Sequence, residues 1–481
     1  MSKKVIYWHR LDLRLHDNEC LQISCTDNQE VLPVYIYDER HYQPLDLGFR
    51  KTGYQRYSYL KDTLNDLRES YKKIGGNLLI LFGKPEDLLP QLIEAHQCDE
   101  LIYQKEIMSE ETFVESQLEI NLKSTTCKII SIWGKTLYHL DDLPFAVKDI
   151  PLTSKAFRIN TSKNAEPRAL FPTPTSINCL QLNDYGDIAQ DSKIGFSEEE
   201  LLTTYDRESF PAGETAALQR LQYYTFDSNL VQTYKWTRNK SLGVDFSSKL
   251  SAYLALGSLS PRLVYSTVKE YETQIKRNIS TWWLVFEVVW RDYFNFLGLR
   301  QGNKVFFQSG YLNKKAVWEE NYELLDKWKN GETGIPFVDA HIKQLSRSGF
   351  MSNRGRVNTA SFLSYDYRVD WRWGAAWFES LLIDHDVCSN WFNWNTQALH
   401  IYYTNPVHQS LKYDKNTDFI SSELDYLNKL PKYNRHAPWL LSDDELEKFG
   451  VNDYHRPVEI YKKWNRSIIN IEKLIETNSK S

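Results

Sequence analysis

Between Gly349 and Asn395 the chain sets Asn353, Arg354, Arg356, Asp384, Asp386 and Asn390 among closely spaced tryptophans. Indole gives up one electron readily, while amides, guanidinium groups and carboxylates grip the polar edge of a flat heterocycle. Together these types suit one task, holding a planar aromatic cofactor and passing electrons to it. Thirteen of the fifteen tryptophans lie beyond residue 210, so this capacity belongs to the C-terminal part of the chain.

Three clusters carry the detail. Residues 234–239 (YKWTRN) and 245–251 (DFSSKLS) precede a helical pattern, and Ser247, Ser248 and Ser251 would set hydroxyls beside the unpaired amides of a helix start. With the charge of Lys249 this suits a diphosphate, although an ordinary serine cap reads the same way. Trp283, Glu287 and Trp290 fall at i, i+4 and i+7 and share a helix face, followed by Arg291. A carboxylate between two indoles needs a hydrogen-bonding partner, either a nucleobase edge or Arg291 or another arginine. Arg356 and Asp384 can form a buried ion pair that turns Asp384 toward a polar ring edge, with Asp386 and Asn390 on neighbouring turns. Two carboxylates so close require an arginine or a donor-rich ligand between them. His385 is the one imidazole nearby and no HxxE or HxxxH spacing accompanies it, so no metal site is expected.

The elements that must position these groups differ along the chain. Short β-branched and aromatic runs at 4–8, 31–37, 77–82, 100–103 and 128–133 alternate with amphipathic stretches such as 54–74 and 85–95. That alternation predicts an α/β domain with a parallel, doubly wound sheet over residues 1–135. No GxGxxG follows the first run, which argues against a standard dinucleotide site there. Residues 136–210 are rich in Pro, Ser, Thr and Asn and are expected to be a long connector over the surface. Residues 211–481 read as an all-α domain, with helical spacing at 214–224, 260–275, 281–297, 321–328, 339–346, 357–366 and 373–385.

Bulk numbers bound the classes. With 481 residues, 42% hydrophobic and 25% charged, the chain suits a two-domain soluble protein, and no run approaches eighteen apolar residues. No secretory signal is visible, so a cytoplasmic location and no membrane partner are expected. The six cysteines show no metal or disulfide spacing. The net charge of −5 divides into 34 basic against 30 acidic residues after 210 and 24 against 33 before it, which permits local contact with a polyanion.

Longer strings then add a resemblance. WHRLDLRLHDN at 8–18, LYHLDDLPF at 137–145, GETAALQRL at 213–221, GFMSNRGR at 349–356 and DVCSN at 386–390 together resemble the photolyase and cryptochrome flavoproteins, most closely the DASH branch. The resemblance implies an antenna domain joined to a helical domain that clasps FAD in a folded-back shape. Tyr234, Ser247, Ser248, Lys249, Leu250 and Ser251 would line its diphosphate and ribose. Trp283, Arg291, Asn353, Arg356, Asp384 and Asp386 would surround its rings. Asn390 would face the flavin N5, an amide that favours the fully reduced anionic form. Trp394, Trp371 and Trp318 occupy the positions of the family's electron-transfer chain, although a tryptophan taken singly more often just packs a core.

The implied activity is that of a carbon–carbon lyase. Reduced FAD excited by near-UV or blue light gives an electron to a cyclobutane pyrimidine dimer, the ring splits, and the electron returns. Glu287, Trp290, Asn353 and Asn390 form the implied catalytic set, with Glu287 bonding the pyrimidine edge and Trp290 packing on the dimer. The lesion must leave the base stack, which costs least in single-stranded DNA, the expected partner of a monomeric enzyme. YQKE at 103–106 resembles the folate-binding segment, with Glu106 where the family contacts the pterin of methenyltetrahydrofolate.

The chain departs from the pattern in two places. After Trp394 and Asn395 the family continues with an aromatic residue and a Gly-containing loop, whereas here Thr396 follows and the loop is about seven residues shorter. The first strand carries His9 and Leu11 in place of the usual residues, a change expected to touch the antenna domain. Loss of an aromatic wall removes ~1–3 kcal/mol of base stacking, or roughly one to two orders of magnitude in lesion affinity. Flavin binding and the tryptophan chain should survive. A blue-light signalling flavoprotein is therefore the alternative to a photolyase, and a nucleic-acid-binding flavoprotein without light chemistry is a third reading.

Overall fold

The computed structural model describes residues 2–26, 29–400 and 403–479. Strands β1 (Lys4–His9), β2 (Glu30–Tyr37), β3 (Leu79–Phe82), β4 (Glu100–Gln104) and β5 (Lys128–Ile132) form one parallel sheet in the order β3-β2-β1-β4-β5. The period-2 alternation of β1 explains why both faces are covered. Val5 and Tyr7 join the core under the Tyr54–Lys73 helix, with Leu64 and Leu67. Ile6 and Trp8 pack on the opposite face against Leu89 and Ile93 of Pro85–His96 and Val114 and Leu118 of Ser109–Asn121. This is the doubly wound arrangement expected of residues 1–135.

Residues 136–210 do more than connect. Ile80 of edge strand β3 donates its N–H to Tyr185 at 2.9 Å, and Leu180 donates to Val31 of β2 at 2.9 Å, so the segment closes the exposed sheet edge. A helix, Ser154–Asn164, capped by the Thr153 hydroxyl, buries Phe157 against Tyr293 and Phe296. The expected surface connector therefore contains a packed helix, whose single buried aromatic in a polar stretch gave little periodicity.

The helical part is organised by Ile279–Gln301. Asn278 caps it, accepting from the N–H groups of Ser280 and Thr281 while its own N–H donates to the Thr281 hydroxyl. Asp292 at its middle accepts the N–H groups of Leu137 and Tyr138 at 3.0 and 2.9 Å, anchoring the chain that leaves the sheet. The string at 8–18 makes the other joint. Arg14 donates to Gly257 at 2.9 Å, Glu214 accepts the Leu15 and His16 N–H groups at 2.8 Å each, and Asp17 holds Ser260 and Arg262. Gly257 has φ +68, and a Cβ there would stand 1.9 Å from the Leu11 carbonyl, so the approach admits only glycine. His9 is buried in the α/β part, 2.6 Å from the Tyr71 hydroxyl.

The remaining helical expectations correspond to Gly213–Gln222, Pro261–Tyr271, Tyr322–Lys329, Pro336–Ser348, Asn353–Ser361 and Trp371–Leu381. Several helices were not anticipated, among them Val387–Leu399 and Pro406–Tyr413. Val387–Leu399 contains three asparagines, each a poor helix former, and is held by burial of Cys388, Phe392 and Trp394. All six cysteines are free, and no described helix is long and apolar enough to cross a membrane.

Candidate functional site

Residues 245–251, the Ile279–Gln301 helix, the start of Asn353–Ser361 and the segment 384–393 enclose a cavity of about 270 Å³. Tyr234, Ser247, Ser248, Lys249, Leu250 and Ser251 all line it, as do Glu287, Trp290, Arg291, Asn353, Arg356, Asp384 and Asp386. A second lobe of about 120 Å³ shares Asn353, Arg356, Asp384 and Asp386 with the first and adds Asn390, Trp394, Thr396 and Gln397.

The serine segment differs from its expected geometry. The helix opens only at Ser251, runs six residues to Leu256, and has Leu250 at its cap with no side-chain cap bond, so Ser247 and Ser248 are not capping residues. They lie on a turn in which Lys249 takes the left-handed conformation, φ +59. That turn buries the Lys249 ammonium 3.6 Å from the Phe246 ring centre and 4.1 Å from that of Phe350. No carboxylate among the described residues forms an ion pair with it. Burial, then Arg220 and Arg356, lower its pKa well below the usual lysine value. A cation held this way asks for an anion from outside the chain.

The expected Arg356–Asp384 pair is formed, with one guanidinium nitrogen 2.7 and 2.9 Å from the two carboxylate oxygens. Asp386 is separated from it by different partners. Its Oδ1 accepts the Ser389 N–H at 2.7 Å, Lys135 lies 3.6 Å from Oδ2, and Oδ2 itself is buried without a hydrogen bond. Burial raises its pKa, but Lys135, Arg291 and Ser389 outweigh that and hold it ionised below the usual range. Arg291 Nε and both amide atoms of Gln397 are likewise buried and unpartnered. A ligand with a polyanionic centre and hydrogen-bonding ring edges fits this set: the diphosphate answers Lys249, and a donor and acceptor edge answers Asp386, Arg291 and Gln397. These are the requirements of FAD.

Glu287 stands at the cavity wall. Arg238 and the Trp283 indole both donate to Oε1, at 2.6 and 2.9 Å, which leaves Oε2 available to a ligand. Burial raises the Glu287 pKa, partly offset by Arg238 and Trp283. The pairing arginine is thus Arg238, forty-nine positions away, and not Arg291, whose guanidinium donates to the carbonyls of Lys135 and Leu254. Trp283 lines neither lobe, and its indole holds Glu287 instead. The Asn390 amide donates to the Ala375 carbonyl at 3.0 Å.

The three tryptophans expected to form an electron relay differ in burial. Trp394 walls the smaller lobe, Trp371 is fully buried on the Trp371–Leu381 helix, and Trp318 is partly exposed. Gly374 lets that helix reach Trp394, since a Cβ there would meet the indole at 2.4 Å. Glu319 bonds the Arg368 carbonyl at 2.8 Å, which sets Trp318 beside the start of the same helix. Arg238, Lys135, Phe246, Phe350 and Gln397 were not singled out from sequence. Arg238 lies inside the 234–239 string, but only the tertiary fold brings it to Glu287.

Both carboxylate oxygens of Glu106 have partners within the protein. One oxygen takes the Lys135 ammonium at 2.6 Å and the other the Gln104 amide at 3.1 Å, in the buried joint between sheet and helices. The open cavity of the α/β part, about 490 Å³, lies elsewhere, between Asp38, Arg40, His41 and Lys51 on one side and Ser109, Glu110 and Phe113 on the other. Thr396 turns its hydroxyl onto the Phe392 carbonyl at 2.7 Å, and Ile401 and Tyr402 of the shortened loop lie outside the described residues.

Known proteins resemble this chain along nearly its whole length. Residues 5–175 match the family model described as DNA photolyase, and residues 283–478 match the FAD binding domain of DNA photolyase. A Cryptochrome DASH of Gloeobacter violaceus is 40% identical over 468 residues, covering 95% of this chain and 93% of the relative. One from Danio rerio is 40% identical over 98% of this chain and 92% of its own length. The crystal structure of a Synechocystis sp. PCC6803 cryptochrome superposes with a TM-score of 0.90 at 39% identity, covering 98% of this chain and 99% of that one. A class III photolyase from Agrobacterium tumefaciens gives 0.85 at 25% identity over 99% and 98%. With its parallel α/β sheet, its FAD-binding helical domain and these relatives along nearly its whole length, the chain belongs to the photolyase and cryptochrome family, in the DASH branch.

Proposed function

We propose that this chain is a light-driven, FAD-dependent photolyase that splits cyclobutane pyrimidine dimers in single-stranded DNA. The observation that carries the reading is the free Oε2 of Glu287, aimed from the same cavity wall as Trp290 while Oε1 is fixed by Arg238 and Trp283. Bound FAD supplies a light-excited electron donor. Lys249 and the serine turn hold its diphosphate, Arg356 fixes Asp384, Lys135 fixes Asp386, and Asn390 presents an amide from the smaller lobe. Glu287 gives the pyrimidine edge a hydrogen bond; its raised pKa brings it nearer the protonated state in which it donates to a carbonyl. Trp290 offers the ring on which the dimer packs. Arg158 and Arg238, over the rings of Phe286 and Trp283 at 4.2 and 5.2 Å, put positive charge at the rim for phosphates.

A second reading, blue-light signalling with weak repair, draws on Thr396, which removes an aromatic wall from the smaller lobe. The N-terminal part is assigned a light-gathering role with methenyltetrahydrofolate; to contact Glu106 the pterin must replace its Gln104 or Lys135 bond. The test is illumination of reduced, FAD-loaded protein with a dimer-containing single-stranded oligonucleotide. Recovery of thymine absorbance above a dark control is expected, and none at saturating protein defeats the repair reading.

A further inference from the structure

Trp371 and Trp318 have indole N–H groups with no base to receive a proton. Trp371 donates to a backbone carbonyl, Gln308, at 3.1 Å, and the Trp318 Nε1 is buried with no partner at all. A fourth indole is placed differently. Trp391 packs edge-on against Trp371, ring centres 5.9 Å apart at 74°, and its Nε1–H donates to Glu379 Oε2 at 2.8 Å. Trp391 and Glu379 sit on facing helices, Val387–Leu399 and Trp371–Leu381, and Glu379 is itself largely buried. Its other oxygen lies 3.9 Å from Lys51 and 3.8 Å from His385, at the boundary with the α/β part.

We propose that Trp391 and Glu379 form a proton-coupled branch of the electron relay, entered from Trp371. The inference rests on the FAD-dependent light chemistry proposed above and on the electron relay through Trp394 and Trp371 that the resemblance implies, with the photoexcited flavin as oxidant. One electron passes from Trp391 to oxidised Trp371, which returns to its neutral closed-shell form. The Nε1–H bond of the Trp391 radical cation then breaks and its proton forms an O–H bond with Glu379 Oε2, leaving a neutral indolyl radical and a neutral carboxylic acid. Loss of the proton lowers the driving force for the hole to return, because the electron must now be recovered together with a proton. Lys51 and His385 touch the opposite oxygen and leave Oε2 to the indole. Glu379 is a positioning and proton-accepting residue here, outside the linings of both lobes.

The test is flash photolysis of the FAD-loaded protein, reading the cationic and neutral indole radicals separately by transient absorption in H₂O and D₂O. The unaltered protein should convert cation to neutral radical more slowly in D₂O. E379Q, whose amide oxygen can accept the hydrogen bond but not the proton, and W391F should both lose the neutral radical and shorten the lifetime of charge separation, with FAD content unchanged. W318F should retain the neutral radical. Neutral radical formed at the normal rate in both E379Q and W391F, or abolished in W318F, overturns the branch alone. Absence of any indole radical in the unaltered protein overturns the branch and the light-driven reading together.

Discussion

Replacing Lys249 with methionine separates ligand binding from folding. In the flavin-free protein the ammonium lies among Phe246, Phe350 and, at 5.6 Å, Phe210 without a counter-ion, so its charge costs folding free energy. Methionine at φ +59 pays the same backbone strain as lysine and fills the same apolar space, which leaves charge as the main difference. A hydrogen bond to a charged group contributes ~1.5–3 kcal/mol, so losing the diphosphate contact should weaken FAD binding by roughly 10- to 150-fold. At FAD one hundred times the wild-type Kd, ligand stabilisation of ~2.7 kcal/mol would fall to about 0.4 kcal/mol after a hundredfold loss. The pH dependence follows the same logic. The folded pKa of Lys249 is depressed, so between it and the unfolded value of about 10.4 the unfolded chain binds more protons. Stability of the flavin-free protein conferred by this group is present above the unfolded value and lost as pH falls through the folded one. K249M should remove that slope and melt no lower than the parent without FAD. Thermal unfolding with and without FAD, and FAD titration, measure both halves. Unchanged FAD affinity, or a flavin-free protein destabilised as much as the FAD-loaded one, refutes the reasoning.

Three other outcomes are expected. Trp371→Phe should suppress steady-state photoreduction while FAD affinity holds, at a stability cost below the ~3–5 kcal/mol of a truncation to alanine; undiminished photoreduction removes Trp371 from the relay. Glu287→Gln should retain FAD but lower repair kcat/KM by roughly 2- to 13-fold, from the ~0.5–1.5 kcal/mol of a neutral hydrogen bond, as dimer-repair kinetics would show. Asp292, pushed up to about 7 by burial, contributes stability that is complete below its unfolded pKa near 3.9 and is lost as pH rises through 7, at about 1.36 kcal/mol per pH unit. Asp292→Asn should flatten that part of a pH–stability profile, and an unchanged slope between pH 4 and 7 would show that another group sets it.

The sheet was legible because the runs at 4–8 and 31–37 alternate faces or stay apolar within short lengths, and local period suffices to define a strand. Strand order and the closure of the β3 edge by Tyr185 were not: the order is set by pairing between strands distant in sequence, and the closure by contacts of a polar stretch with no period of its own. The flavin-site residues were legible chiefly from long strings that resemble a family. Spacing alone gave the Trp283, Glu287 and Trp290 face and the Arg356–Asp384 pair. It could not supply Arg238 as the partner of Glu287, or Lys135 between Glu106 and Asp386, because these join residues 29 to 251 positions apart. The serine turn misled for a physical reason: hydroxyls before a helical pattern imitate a cap, while the left-handed Lys249 instead turns an ammonium inward.

The central claim is that the helical domain holds FAD within electron-transfer reach of Trp394. Absorption of the purified protein, supplied with FAD and illuminated with blue light in the presence of an external reductant, tests it directly. The account predicts a bound oxidised-flavin spectrum that bleaches in the unaltered protein and persists under the same light in Trp394→Phe. A protein that takes up no FAD, or a Trp394→Phe variant that bleaches at the parent rate, would contradict it.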